Sequence, residues 1–163
     1  MGVEIGPLAV RRSIFIKAAP ERVWQEFESF ERMKEWFGTG HTLLKYEPRV
    51  GGWVELEIEP EGNPVRFGGR VAVFEPPREL TFENDWLSPP DAMTAAFGEG
   101  WRAWNGPSLI TLRLTPALGG TVVELFHHGF ERSPDKAAEM LSGYEGGWTI
   151  RQLEALRQIV EAA

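Results

Sequence analysis

Hydrophobic and polar residues alternate along much of this chain, and helical spacing interrupts the alternation near both ends. Residues 10–17 set Arg12, Ile14 and Ile16 against Arg11, Ser13 and Phe15, which predicts a first strand with β-branched residues facing in. The period then changes. Pro20 suits a first helical turn, Val23, Trp24 and Phe27 recur at helical spacing, and Met33, Trp36 and Phe37 repeat the pattern after a break near Ser29. Two short helices are predicted there. Beyond Gly38 and Gly40 period two returns: residues 43–47, a Gly51-Gly52 turn, then Val54, Leu56 and Ile58 opposite Glu55, Glu57 and Glu59 predict a hairpin with one wet face. Residues 67–75, then Leu80, Phe82, Asn84 and Trp86 opposite Thr81, Glu83 and Asp85, and finally 108–115 and 121–130 supply four more strands. A meander is the simplest path through them. Gly51-Gly52 and Gly68-Gly69 sit at predicted strand boundaries and read as turn and bulge glycines, since neither pair precedes a helix that could cradle phosphate.

Two segments break the strand rhythm. Residues 88–106 carry Ser88-Pro89-Pro90, a weakly helical stretch from Met93 to Phe97, and then Trp101 and Trp104 among glycines. An insertion of that length is usually functional, and its aromatic side chains must settle on apolar surface, over a cavity mouth or against a second subunit. At the other break, Ser133-Pro134-Asp135 predicts a helix start, and Met140, Leu141, Tyr144, Trp148, Leu156 and Ile159 continue the apolar face. A helix from Pro134 to Glu161 would be ~42 Å long. Gly143, Gly146 and Gly147 each cost a helix interior about 1 kcal/mol relative to alanine. Either the helix is interrupted there or another element approaches closely.

Composition narrows the function classes. A length of 163 residues with 42% hydrophobic and 25% charged content fits one globular domain over 1–163. The net charge of −7, with scattered basic residues, argues against nucleic acid as a partner. Without cysteine there is no disulfide, thiolate metal site or cysteine nucleophile. No segment reaches the ~18 apolar residues of a membrane span, and Met1 to Val10 lacks a targeting pattern, so a cytoplasmic location is expected. Seven Trp and ten Phe in so short a chain supply broad, rigid apolar surface for packing or for a ligand.

The order strand, two short helices, six strands, long C-terminal helix resembles the START-like helix-grip (SRPBCC) fold. Local wording narrows the match: Ala18-Ala19-Pro20-Glu21-Arg22-Val23-Trp24, Trp36-Phe37, Val50-Gly51-Gly52, Pro76-Pro77-Arg78-Glu79-Leu80, His127-His128-Gly129-Phe130 and Gly147-Trp148. These are similar to the activator of 90-kDa heat shock protein ATPase homologue family, over essentially residues 10–160. The resemblance implies an α+β fold in which a seven-stranded curved antiparallel sheet wraps around the C-terminal helix and encloses a cavity. It also implies binding of a hydrophobic small molecule, or action on a partner protein.

The expected cavity lining follows from the inward positions. Leu56, Val71, Phe82, Asn84, Trp86, Ile110, Leu112, Leu125 and His127 come from the sheet, Trp36 from the second helix, Tyr144 and Trp148 from the C-terminal helix, and Trp101 and Trp104 from the insertion. His128 should point outward, opposite His127, and His41 reads as exposed polar filler in a glycine-bounded loop. The three histidines fit no metal-ligand spacing, Ser108 and Ser142 lack a nucleophile elbow, and nothing pairs an acid with a base. No cofactor is expected. The leading expectation is a binding protein for a small apolar or aromatic molecule. Its rivals are a chaperone-interacting stress-response module, with a homodimer contact through the insertion as a further reading, and a cyclase- or hydrolase-like enzyme using the same cavity.

Overall fold

The protein, described over residues 2–162 in a computed structural model, is built on one seven-stranded antiparallel sheet. The strands are β1 (Val10–Ile16), β2 (Thr42–Tyr46), β3 (Trp53–Ile58), β4 (Val65–Glu75), β5 (Glu79–Trp86), β6 (Ser108–Ala117) and β7 (Gly120–His128). Their order is β1-β7-β6-β5-β4-β3-β2, a meander from β2 to β7 with β1 returned to the free edge of β7. Alternation fixes the register: Phe82 faces Val71 on one side and Ile110 on the other, and Leu112 lies between Leu80 and Leu125. Those side chains, with Leu56 and Trp148, belong to one core cluster, whereas Glu57 pairs with Arg66 and Arg113 with Glu79 on the opposite side. A register slip of one residue would reverse all of these assignments.

Helices α1 (Pro20–Trp24) and α2 (Phe30–Phe37) follow β1, with Pro20 at the start of the first. The Ser29 side chain accepts the Arg32 amide at 3.2 Å to cap the second. With the 3-10 turn at Gln25–Phe27 between them, they bury Trp24, Phe27, Met33, Trp36 and Phe37 against the concave face of the sheet. Insertion 88–106 forms α3 (Pro90–Phe97) and a 3-10 turn at Glu99–Ala103, and it buries Met93 and Trp101 against Val65 in a small cluster of its own.

The C-terminal helical region is interrupted, as its glycines allowed. Helix α4 spans Ala137–Glu145 and α5 spans Arg151–Ala162. The start also falls later than Ser133-Pro134 suggested, because Phe130–Arg132 takes a 3-10 turn and the Ser133 amide donates back to the Phe130 carbonyl. Across the interruption, Arg12 on β1 donates from Nη2 to the carbonyls of Glu145 and Trp148, both at 2.9 Å. One guanidinium thus satisfies acceptors that the broken helix leaves open. Helix α5 sends Leu153, Leu156 and Val160 into the main core, while α4 buries Ala137 and Met140 beside Phe130 in a separate cluster.

One further expectation is corrected. Gly68 and Gly69 lie inside β4, not at its boundary, and the register irregularity falls at Val71/Val73. Gly68 has φ +150°, and a Cβ there would collide with the Val54 carbonyl oxygen, so close strand approach explains it. His128 occupies the outer face but is buried, because the N-terminal segment crosses that face. The Val3 amide donates to Glu79 at 3.0 Å, Arg113 donates to the Val3 carbonyl at 2.7 Å, and the Leu8 amide donates to Glu131 at 3.2 Å. Beneath this strap His128 Nε2 lies 2.8 Å from Thr111 Oγ1.

Candidate functional site

Between the concave face of the sheet, the α4–α5 junction and insertion 88–106 lies a cavity of about 390 Å³. That volume falls toward the lower end of the range for small-molecule sites. Its sheet wall is Ile58, Phe67, Asn84, Trp86 and His127; its helical wall is Gly143, Tyr144, Gly147 and Trp148, followed by Thr149, Arg151 and Gln152. Phe97 and Trp104 reach it from the insertion, and Gly40 and His41 from the loop before β2. Of the residues expected from the sequence, the structure brings Asn84, Trp86, Trp104, His127, Tyr144 and Trp148 together here. Trp36, Leu56, Val71, Phe82, Ile110, Leu112 and Leu125 instead pack in the core deeper under the helices, filled by α1 and α2. Trp101 turns away toward Met93 and Val65, its indole N–H donating to Thr94 Oγ1 at 3.0 Å.

His41, expected as exposed polar filler, is instead enclosed and lines the cavity, and so does Gln152, which the sequence pattern did not single out. His41 is enclosed by ring edges of Phe37, Phe67 and Trp148, with centroids 5.3, 6.0 and 5.8 Å away. Burial lowers its pKa to about 4, against the opposing pull of a hydrogen bond to the Phe37 backbone. Gln152 donates from Nε2 to the Thr39 carbonyl at 2.6 Å.

The buried polar groups form a directional chain. A Trp indole can only donate, and the Trp148 indole N–H lies 2.9 Å from His127 Nδ1, so that nitrogen is the acceptor. His127 Nε2 therefore carries the ring hydrogen and donates to Ser108 Oγ at 2.8 Å. Ser108 passes its own hydrogen to the Asn84 carbonyl and accepts from Asn84 Nδ2, each at 3.3 Å. Burial, followed by the proximity of His128, drives the His127 pKa down to about 3, so the ring stays neutral. The Ser108–His127 contact resembles a nucleophile and its base in distance only. Its proton already points at the serine, so the imidazole cannot take the serine's proton. His127 holds the Trp148 indole in place.

Replacing His127 with Phe is expected to lower unfolding free energy by about 1–3 kcal/mol, because the Trp148 N–H and Ser108 lose their partner. His128→Phe should cost a comparable amount by stripping Thr111 under the strap. Urea denaturation of both variants checks this, and an unchanged midpoint for either would contradict the burial described.

Tyr144 receives the Trp86 indole N–H at 2.7 Å and keeps its own hydroxyl hydrogen to donate. Burial pushes its pKa up to about 12. Above it, Trp104 packs edge-on to Trp86, Phe97 and Tyr144, at 6.0, 5.2 and 5.8 Å between centroids. At Gly143 a Cβ would meet the Trp104 ring at 3.7 Å, an ordinary contact. Gly143→Ala is therefore expected to stabilise α4 by about 0.5–1 kcal/mol while narrowing the cavity. A raised melting temperature together with weaker binding of an aromatic probe would be the signature; a lowered melting temperature would oppose it.

Among the described residues no group of histidine, aspartate and glutamate side chains could hold a metal ion, and no helix is long and apolar enough to cross a membrane. No curated protein matches the chain. Solved structures do match along nearly its whole length. A protein from Mesorhizobium loti superposes with a TM-score of 0.66 at 22% identity, covering 95% of this chain and 98% of that one. The Aha1 dimer from Colwellia psychrerythraea gives 0.56 at 18% identity, over 94% and 96%. DynU16, from the dynemicin biosynthetic locus, gives 0.61 at 16% identity, over 96% of this chain and 48% of that one. These likenesses establish the START-like helix-grip fold. The family described as activator of Hsp90 ATPase homolog 1-like protein matches residues 17–161, nearly the full sheet and both C-terminal helices, and the chain belongs to that family.

Proposed function

We propose that the chain binds a small aromatic or apolar molecule in the cavity between the sheet and the α4–α5 junction, with insertion 88–106 as its cover. The observation that carries this reading is the wall itself: Phe67, Trp86, Phe97, Trp104, Tyr144 and Trp148 present their rings to one space. Burying ~250 Å² of ligand surface at about 25 cal/mol per Å² yields roughly 6 kcal/mol before the costs of association. Polar contacts must supply the rest. An enzymatic use of the cavity finds less support, because its histidine and the Ser108 behind it are locked in the wrong proton arrangement for attack.

Native mass spectrometry of freshly purified protein, set against its denatured mass, tests the proposal. A co-purified small molecule is expected. Family membership favours a second reading, docking to a chaperone, and recovery of a chaperone with no small molecule would put that reading first.

A further inference from the structure

Three side chains lining the cavity each hold a buried polar atom that finds no hydrogen-bond partner among the described residues: His41 Nε2, Asn84 Oδ1 and Gln152 Oε1. All three are acceptors, and their neighbours fix that. Turning the Gln152 amide over would set its oxygen 2.6 Å from the Thr39 carbonyl, acceptor against acceptor. Ser108 Oγ spends its hydrogen on the Asn84 carbonyl, so the Asn84 side chain must offer it an N–H, which leaves Oδ1 bare. The neutral His41 ring gives its one N–H to the Phe37 backbone, and three aromatic neighbours prevent the ring from swinging outward. Each acceptor is thus oriented before any ligand arrives.

We propose that the cavity selects neutral aromatic molecules that carry hydrogen-bond donors, hydroxyl or N–H groups, and that His41, Asn84 and Gln152 read them. This rests on the ligand-binding reading above and names its specificity. An apolar guest that displaces water from buried acceptors leaves them unpaired, whereas a hydroxylated guest replaces the lost bonds. A cationic amine would also donate, but it would enter a space with no carboxylate in its lining and with Arg151 among the residues around it. An uncompensated buried charge is far costlier than an unpaired dipole. The donors are therefore neutral.

Calorimetric titration with dihydroxynaphthalene, its dimethyl ether, naphthalene and naphthylmethylammonium separates these possibilities, since the ether keeps shape and loses both donors. The diol is expected to bind at least about tenfold tighter than the ether, the ammonium no tighter than naphthalene. Gln152→Met should shrink the diol-to-ether ratio several-fold. Equal binding of diol and ether overturns this proposal and leaves the cavity a ligand site. If no member of the series binds at millimolar concentration, the ligand-binding reading fails with it.

Discussion

Acidification from pH 7 to about 4.5 is expected to remove most of the folding stability of this protein. The chain has three histidines, and burial is the leading cause that lowers the pKa of each, His41 and His128 to about 4 and His127 to about 3, from 6.5. Between 6.5 and those values the unfolded chain takes up protons that the folded chain refuses, so stability is fully present above 6.5 and falls as pH drops. Each neutral histidine contributes a slope of about 1.4 kcal/mol per pH unit, and three together about 4, against a typical total of about 5–15 kcal/mol. Asp85 opposes this weakly, because burial and Glu83 raise its pKa and the folded state then gains a proton early. Urea midpoints measured from pH 7 to 4.5 should fall steeply below 6.5. A midpoint that stays level across that window would mean that the histidines are not held neutral.

Trp104→Ala is expected to speed release of bound dihydroxynaphthalene about thirtyfold, equivalent to about 2 kcal/mol, while lowering thermal stability only slightly. The indole closes the cavity against Trp86, Phe97 and Tyr144, yet it stands outside the main core. Its segment is held by a small cluster of Val65, Met93 and Trp101, whose loss would not unpack the sheet. Stopped-flow displacement gives the release rate, and hydrogen exchange gives the second readout. Ligand should slow exchange selectively across residues 88–105. Exchange there that already matches the central strands without ligand would rule out a moving cover.

What could be read from the sequence was whatever one strand states about itself. Leu80, Phe82, Asn84 and Trp86 alternate so cleanly that their common face follows directly, and so does His127 from Val123 and Leu125. Asn84, Trp86 and His127 of the cavity's sheet wall were legible for that reason, whereas Ile58 and Phe67 were not. Depth was not: alternation says that Ile110 faces inward but not that α1 and α2 fill the space above it. His41 and Gln152 sit where no period speaks, one in a loop enclosed by rings brought in from elsewhere and one in the first turn of α5 with its amide on the Thr39 carbonyl. His128 faces outward as its alternation implies, but its burial was not legible, because its cover, residues 2–8, carries no pattern that links it to the outer sheet face.

The interruption between α4 and α5 divides mechanical duties along one stretch of chain. Helix α5 buries Leu153, Leu156 and Val160 in the main core, whereas α4 buries Ala137 and Met140 in the smaller group around Phe130 and meets the main core through the half-buried Leu141 and Tyr144. Arg12 holds the Glu145 and Trp148 carbonyls together at the joint, and on the proposed ligand-binding reading that joint is where the wall is expected to give for a bulkier guest. Tolerance for guests of different girth would then lie in the seam rather than in the binding surface.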